Sequence, residues 1–336
     1  MGEPRFAVAG IGNAIVDVLS RIDDDFLDRH RIAKGAMTLI DEKQASALYD
    51  AMPAAVEISG GSAANTIAGL ASFGSPAAFI GKVRNDQLGQ VFRHDITALG
   101  VAFATPPATR GAATARCLVL VSPDGERSMC TFLGASVGLS VEDIDEAVIA
   151  DAGITYLEGY LWDPPQAKQA FKRAARHARK HGRQVALTLS DAFCVERHRD
   201  SFIELIRDEV DILFANEAEI KALYQTAGFD EALQATRRHC RLAALTRSGA
   251  GSVVAAGDEV HVVEAVKIDG VVDATGAGDL YAAGFLHGYC RGLGPYDCGR
   301  IGAIAAAEVI AHYGARPETA LSALVAREMG AAVVQT

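Results

Sequence analysis

The sequence predicts an α/β fold with a mostly parallel central sheet, helices on both faces of that sheet, and a small β-rich lid. Short apolar runs bounded by turn residues alternate with amphipathic segments along most of the chain, which is typical of βαβ units. Two stretches, at about 13–59 and 101–133, break this rhythm with short alternating segments. Such segments favour hairpins, so we expect these two insertions to form the lid.

The core elements follow one another along the chain. The predicted core strands are 6–11, 77–80, 154–157, 185–189, 212–215, 242–246 and 252–256. The predicted helices are 165–181 and 201–210, followed by the Ala- and Gly-rich helices 277–290 and 300–312. In the second insertion, the residues Ser122-Pro123-Asp124-Gly125 favour a turn between the strand segments 115–121 and 128–133. The composition of the last two helices predicts tight packing near a site.

Composition limits the function classes. A chain of 336 residues, half of them apolar, has material for a large core, and no linker divides it, so we expect one domain over 1–336. A net charge of −10 argues against nucleic-acid binding. No apolar run reaches the length of a membrane span, and the first residues lack the pattern of a secretory signal. Six scattered cysteines without a C-x-x-C pair indicate reduced thiols in a cytoplasmic protein.

Two nucleotide-binding motifs are present only in part. The segment that begins at Gly10 has Ile15 where a dinucleotide fingerprint needs its third glycine. The Gly81-Lys82 pair resembles the end of a P-loop, but Val83 stands where Ser or Thr should hold Mg²⁺.

The segment before the helix at 277–290 carries the clearest chemistry. Small residues at Gly276, Ala277 and Gly278 let backbone N–H groups converge at a helix N-terminus, where the free amides and the helix dipole favour anions. Asp279 follows in the first turn and could take a proton from a substrate hydroxyl beside a phosphoryl group. The alternative is that Asp279 only complements the helix dipole.

Five motifs resemble those of the ribokinase-like (PfkB) family of carbohydrate and nucleoside kinases, and the resemblance runs from about Phe6 to Pro317. In chain order these motifs are 60–66 continuing to Gly74, 81–89, 216–219, 246–251 and 273–279. Two positions depart from the pattern, since Arg84 replaces a glycine and Ala274 stands where Thr is commoner. The resemblance implies the fold predicted above and an ATP-dependent kinase.

The resemblance also implies roles for particular residues. Asp279 is then the general base, and Gly276, Ala277 and Gly278 form the anion hole. Asn216 and Glu219 organise Mg²⁺ through water, which suits a cation that keeps most of its own waters. The residues implied on the ATP side are Asn216, Thr246, Gly249, Gly251 and Thr275. Without the family, Asn216 could be only a helix N-cap.

The substrate side is implied in the same way. Asn13 and Asp17 follow the first strand, where open parallel sheets present ligand groups. Gly60 and Gly61 would let a polyol approach the backbone. Asn13, Asp17, Gly60, Gly61 and Asn65 are therefore expected to hold a ribose, and Met37, Leu39, Phe132 and Leu133 are expected to offer apolar lid surface to a base. The alternatives are that the polar residues serve only as helix caps or turn residues and that the apolar residues only form the core of the lid.

Within the family, the kinases that phosphorylate the 5′-hydroxyl of adenosine resemble this chain in the segments 12–17, 131–136, 307–310 and 313–317. This implies that adenosine and ATP are converted to AMP and ADP. A kinase of ribose, fructose or a related sugar, an inosine–guanosine kinase and a nucleoside sensor without turnover are the alternatives.

Three further positions, Asp273, Thr275 and Gly314, match residues that surround a monovalent cation in some relatives, which suggests K⁺. Members of the family differ in whether their lids pair, so a monomer and a homodimer both remain open.

Overall fold

The computed structural model describes residues 2–330 and places two sheets side by side. The strands of the described chain are β1 (Phe6–Ile11), β2 (Ile15–Arg21), β3 (Met37–Leu39), β4 (Val56–Gly60), β5 (Ala77–Ile80), β6 (Ala115–Val121), β7 (Arg127–Phe132), β8 (Ala152–Glu158), β9 (Gln184–Thr188), β10 (Ile212–Asn216), β11 (Leu242–Thr246), β12 (Ser252–Ala256) and β13 (Glu259–Val263). The predicted core strands are present, with ends that shift by one or two residues.

The large sheet has the order β13-β12-β11-β10-β9-β8-β1-β5. Strands β5, β1, β8, β9, β10 and β11 run parallel, while β12 and β13 form an antiparallel hairpin at one edge. Two large clusters of buried side chains lie on this sheet, as expected when helices cover both faces. The prediction of a mostly parallel α/β fold is confirmed. The carboxyl ends of the parallel strands meet at one edge, which is where such sheets bind ligands.

Twelve α-helices accompany the strands within residues 2–330. They are α1 (Asp24–His30), α2 (Glu42–Ala51), α3 (Ser62–Ser72), α4 (Gln87–Ala98), α5 (Glu146–Ala150), α6 (Pro165–Lys180), α7 (Ala192–Glu209), α8 (Glu217–Tyr224), α9 (Phe229–His239), α10 (Ala277–Cys290), α11 (Pro295–Val309) and α12 (Leu321–Met329). Helix α10 has the predicted bounds, whereas α11 begins five residues before the predicted start because Gly294 caps it and Pro295 occupies its first turn.

Helices α10, α11 and α3 pack closely through small residues. A Cβ atom added to Gly284 of α10 would lie 2.7 Å from the carbonyl oxygen of Ile301 in α11. A Cβ atom added to Gly69 of α3 would lie 2.7 Å from the Cβ of Ala283. The tight packing predicted from the Ala- and Gly-rich composition is therefore present, and it brings the N-termini of α3 and α10 to the same site.

The small sheet has the order β3-β7-β6-β2-β4. It draws its strands from 13–59 and 101–133, but the first of these segments also contains α1 and α2, which the β-rich expectation missed. Helix α2 begins with a capping box, in which Asp41 accepts from the N–H of Gln44 and the Gln44 side chain accepts from the N–H of Asp41. Asp23 caps α1 by accepting from the N–H of Phe26.

Strand register gives the small sheet two different faces. Asp17 is in register with Cys117, Cys117 with Thr131, and Thr131 with Leu39. Because side chains alternate along a strand, Met37 and Arg127 share the face of Asp17. The opposite face carries Val18, Leu118 and Leu120, which join clusters with Leu48 of α2 and Phe26 of α1. Two helices thus cover one face, and the other is turned toward the site.

No helix among residues 2–330 is both long enough and apolar enough to cross a membrane.

Candidate active site

The N-terminus of α10 opens into free space. Gly276, its N-cap, has a left-handed backbone with φ of 79°, and a Cβ atom there would lie 2.7 Å from the Cβ of Ala315. Only glycine fits this position without strain. Gly278 faces no atom within 4 Å of an added Cβ. The backbone N–H groups of Gly276 and Gly278 therefore belong to an accessible helix N-terminus, a geometry that suits an anion. The N–H of Ala277 donates to the carbonyl oxygen of Ala274 at 3.3 Å.

Asp279 lies in the first turn of α10 and contacts the first turn of α3. Its Oδ1 accepts a hydrogen bond from Ser62 Oγ at 2.6 Å, and its Oδ2 accepts from Asn65 Nδ2 at 3.0 Å. Burial raises the pKa of Asp279, while these two bonds and the charge of Arg316 oppose the rise. The result is a fixed carboxylate whose oxygens can each accept a further hydrogen bond, as a general base requires.

Asn65 has one polar atom without a partner. Its side chain is 5% exposed, and its Oδ1 makes no hydrogen bond in the described structure. The contact with Asp279 fixes Nδ2 toward the carboxylate, so Oδ1 points the other way. A buried acceptor without a donor is costly, and a substrate hydroxyl would satisfy it.

Asp17 is held close to the turn before α3. A Cβ atom on Gly60 would lie 2.3 Å from Asp17 Oδ2, and one on Gly61, whose φ is 100°, would lie 2.2 Å from the carbonyl oxygen of Asn13. We expected these glycines to admit a polyol; in the structure they admit Asp17 and the Asn13 backbone. Burial raises the pKa of Asp17 to about 6, while the guanidinium groups of Arg316 and Arg127 oppose the rise.

Asn13 belongs to a buried network that ties β1, β8 and α3 together. Its Nδ2 donates to Glu158 Oε1 at 2.7 Å, and its Oδ1 accepts from Ser136 Oγ at 2.8 Å. The other Glu158 oxygen accepts from the N–H of Ala63 at 2.8 Å. Burial raises the pKa of Glu158 to about 7, against the three hydrogen bonds it receives. Asn13 is therefore fixed, with one hydrogen of its amide group left to donate.

Asn216 and Glu219 form a capping box at the start of α8. Glu219 accepts from the N–H and from Nδ2 of Asn216, and Asn216 Oδ1 accepts from the N–H of Glu219. Burial raises the pKa of Glu219 to about 7, and the charges of Asp191 and Asp279 add to the rise. A cation would relieve this negative potential, and carboxylate oxygens are the ligands Mg²⁺ prefers.

The donor set thus fits Mg²⁺ held through water. No group of three or more His, Cys, Asp or Glu residues within 2–330 is arranged to bind a metal directly. The capping role, which was the alternative for Asn216, is present as well.

The residues predicted on the ATP side lie at the end of β11 and in the turn after it. Thr246 ends β11 and pairs with Ser252 of β12. Gly249 faces open space, whereas a Cβ atom on Gly251, whose φ is 81°, would lie 2.1 Å from the carbonyl oxygen of Val263. Gly251 therefore shapes the turn, and Gly249 leaves its surface accessible.

Asp273, Thr275 and Gly314 come together around a side-chain cation. Asp273 Oδ1 accepts from the N–H and the Oγ of Thr275, and Oδ2 accepts from the N–H of Gly314 at 2.9 Å. The guanidinium of Arg127, from β7, forms an ion pair with Asp273 and donates to Thr275 Oγ at 3.3 Å. A positive charge from the small sheet therefore stands at the place where K⁺ was predicted.

The apolar residues predicted for base contact divide between the two faces of the small sheet. Met37 and Leu39 are 52% and 61% exposed and lie on the face of Asp17. Phe132 is in register with Arg116, which places it on the face that the helices cover, and Leu133 follows the end of β7. The register favours Met37 and Leu39 as base contacts, and the roles of Phe132 and Leu133 stay predictions.

Comparison with known proteins identifies the family of this chain. The model of the pfkB family carbohydrate kinases matches residues 37–320. This chain belongs to the pfkB family. The resemblance to its motifs and the kinase activity it implied are thereby confirmed.

Solved structures show how far the likeness of this pfkB kinase extends. It is 53% identical to the adenosine kinase from Sinorhizobium meliloti, with a TM-score of 0.89 and coverage of 97% of this chain and 99% of that one. It is 51% identical to a probable sugar kinase from Rhizobium etli, with a TM-score of 0.90 and the same coverages. It is also 26% identical to adenosine kinase 1 of Arabidopsis thaliana, over 91% of this chain and 94% of the plant enzyme.

Sequence reasoning missed four polar residues of this pfkB kinase. Ser62 was inside a recognised motif but received no role. Glu158 ends an apolar strand, and a charged residue at the carboxyl end of a core strand is a usable signal. Arg127 and Arg316 act through contacts with residues more than 140 positions away, and no local pattern predicts such contacts.

Proposed function

We propose that this pfkB kinase transfers the γ-phosphoryl group of ATP to the 5′-hydroxyl of adenosine, giving AMP and ADP. The observation that supports the chemistry best is the meeting of α3 and α10, where Asp279 stands beside an accessible helix N-terminus. The choice of adenosine rests on the 53% identity to an adenosine kinase over nearly the whole chain.

The reaction follows from the position of Asp279. Its carboxylate accepts the proton of the 5′-hydroxyl as that oxygen bonds to the γ-phosphorus. The bond from the γ-phosphorus to the oxygen it shares with the β-phosphate breaks, and ADP leaves with that bonding pair. The N–H groups of Gly276 and Gly278 donate to the phosphoryl oxygens, where negative charge concentrates. Ala277 joins them once its N–H leaves the carbonyl oxygen of Ala274.

The nucleoside is held by groups on β2, α3 and the loop after β1. The unpartnered Oδ1 of Asn65 is a ready acceptor for a hydroxyl, and the carboxylate of Asp17 can accept two vicinal hydroxyls of ribose. Asn13 offers its remaining amide hydrogen, and the turn at Gly60 and Gly61 keeps these groups close. The base would lie on the apolar surface of Met37 and Leu39, with Phe132 and Leu133 as further candidates.

On the ATP side, Asn216, Thr246, Gly249, Gly251 and Thr275 are the proposed contacts. Asn216 and Glu219 would hold Mg²⁺ through water; when bound, the ion neutralises charge on the phosphates. Glu219 itself keeps the start of α8 in place through its bonds to Asn216.

We further propose that Arg127 supplies the positive charge expected at Asp273, Thr275 and Gly314. An arginine is always charged and its fork suits a carboxylate and a hydroxyl together. The K⁺ expected there and the Arg127 guanidinium would compete for the same oxygens, so the Arg127 hypothesis predicts a rate that does not depend on potassium and the K⁺ hypothesis predicts activation by it.

The domain arrangement proposed is a single kinase domain over 1–336, in which 13–59 and 101–133 supply a lid above the nucleoside. We propose a cytoplasmic enzyme of purine salvage, active as a monomer or a homodimer and without nucleic-acid or membrane partners. Sedimentation would separate the two assembly states.

The direct test is ADP release with ATP and Mg²⁺ across adenosine, guanosine, inosine, ribose and fructose. We expect the highest kcat/KM with adenosine. A maximum with ribose or fructose would favour a sugar kinase, an alternative supported by the 51% identity to a probable sugar kinase. A maximum of kcat/KM with inosine or guanosine would favour an inosine–guanosine kinase. No turnover, together with binding of adenosine, would favour a sensor.

A further inference from the structure

Arg316 follows α11 in the chain but bonds the segment that begins α3. Its Nε and Nη2 donate to the carbonyl oxygen of Ser59 at 3.1 and 2.6 Å, Nη2 also donates to Ser59 Oγ at 2.9 Å, and Nη1 donates to the carbonyl oxygen of Ala64 at 2.9 Å. Ser59 is held from its other side by Asp95, whose Oδ2 accepts from its N–H and its Oγ. One guanidinium therefore fixes both ends of the turn that contains Gly60 and Gly61.

That turn carries Gly60 and Gly61 and adjoins Asn65, three of the proposed nucleoside contacts. Ser59 and Ala64 flank Gly60, which allows the close approach of Asp17, and Ser62, which donates to Asp279. Asn65 follows directly and donates to the same carboxylate. A shift of the turn would therefore move the proposed ribose contacts, and it would move at the same time the two groups that donate to Asp279.

The charge of Arg316 acts on the same groups. It lowers the pKa of Asp17 and of Asp279, in both cases against burial. Burial lowers the pKa of Arg316 itself to about 10, and Asp95, Asp17 and Asp279 oppose that change, so the guanidinium stays charged at neutral pH. Arg127 and Asp279 also act on Asp17, and the charges of Asp17 or Asp279 act in turn on Cys117, Tyr156, Glu158, Tyr160 and Glu219.

We propose that Arg316 is a positioning residue for the phosphorylation reaction: its fork fixes the turn that begins α3, and its positive charge acts on the carboxylates of Asp17 and Asp279. This inference rests on the proposed function, because both carboxylates are assigned to that reaction. Fork and charge are separable by substitution. Lysine keeps the charge but cannot donate to two carbonyl groups in the fixed geometry of a guanidinium, and glutamine removes the charge.

The test compares wild type, Arg316→Lys and Arg316→Gln in KM for adenosine and in the pH profile of kcat/KM. We expect Arg316→Gln to shift the acid limb of the profile upward by about one pH unit, a tenfold loss at acid pH. Arg316→Lys should keep the wild-type acid limb and raise KM about tenfold. The control is Arg93→Gln, because Arg93 also donates to two backbone carbonyl groups but lies on α4 with its bonds to Phe103 and Thr105.

The outcomes separate the two claims. Wild-type enzyme without adenosine turnover would overturn the proposed function. If the wild type is active and both Arg316 variants keep its KM and its acid limb, the role of Arg316 is overturned and the proposed function stands. If Arg316→Gln does not fold, Arg316→Lys decides: a raised KM at a normal melting temperature supports the positioning role, and a wild-type KM refutes it.

Discussion

At the scale of single residues, the site depends on buried carboxylates whose protonation is shifted by the fold. Glu158 is 1% exposed, and burial raises its pKa to about 7 from an ordinary value of 4.5. Three donors from Asn13 and Ala63 meet it. Glu158 holds the loop after β1 against the start of α3. Its carboxyl group titrates near neutral pH.

This gives Glu158 a predicted effect on stability. Between pH 4.5 and 7 the folded protein keeps a proton that the unfolded chain has lost, so the contribution of Glu158 is complete below 4.5 and disappears as pH rises through 7. We expect Glu158→Gln to flatten the decline in the free energy of unfolding between pH 5.5 and 8 by about 2 kcal/mol. Urea unfolding at a series of pH values measures this.

The control for this prediction is Glu196→Gln, which alters an exposed glutamate of α7. Its profile should run parallel to that of the wild type. A Glu158→Gln profile that also runs parallel would show that Glu158 titrates alike in the folded and unfolded chain.

At the scale of secondary-structure elements, the N-terminus of α10 forms the proposed anion site. Gly276 has a left-handed backbone and no room for a Cβ atom, whereas Gly278 faces open space and has no such backbone constraint. The two glycines lie in one motif, so their substitution by alanine separates a conformational requirement from a general effect of side chains at this turn.

We expect Gly276→Ala to lower the free energy of unfolding by about 2 kcal/mol, from left-handed backbone strain and the clash with Ala315. It should also lower kcat, because the turn that donates to the phosphoryl group must shift. Gly278→Ala should change the free energy of unfolding by less than about 0.5 kcal/mol. Equal destabilisation by both changes, measured by thermal unfolding, would contradict this account of the turn.

Elements also show how far the sequence could predict the fold and the site. Alternating apolar runs and helices predicted the large sheet, and the Ala- and Gly-rich pattern predicted α10 to the residue. Helices α1 and α2 were not predicted, although Asp23 is a capping signal for α1 and the pair Asp41 and Gln44 is one for α2. The position of Asp279 in the first turn of α10 was predictable because its motif is continuous in sequence. The contacts of Arg316 were not predictable, because they depend on how the segment after α11 packs against the start of α3.

At the scale of the whole molecule, Arg127 joins the small sheet to the segment before α10. It lies on β7, on the face of Asp17, and pairs with Asp273 in the segment before α10. Both side chains are mostly buried, and breaking such a pair leaves an uncompensated charge. The small sheet and the proposed anion site are thereby connected through one side chain.

This connection predicts the response to monovalent cations. We expect the adenosine-dependent rate of the wild type to stay the same when K⁺ is replaced by choline, because Arg127 already supplies the charge. Arg127→Gln should be slower in choline than in K⁺, since the oxygens of Asp273 and Thr275 then lack a cation. A wild-type rate that falls in choline would instead establish the K⁺ hypothesis.

The central claim is that Asp279 is the base of a phosphoryl transfer at this site, and Asp279→Asn tests it most directly. The measurement pairs steady-state ADP release with calorimetric binding of adenosine to the same protein. We predict a loss in kcat of at least about 10³-fold, in the range of general base catalysis, with the Kd for adenosine changed only a few-fold. Asparagine that preserves turnover would contradict the claim, as would a loss of kcat fully explained by lost adenosine binding.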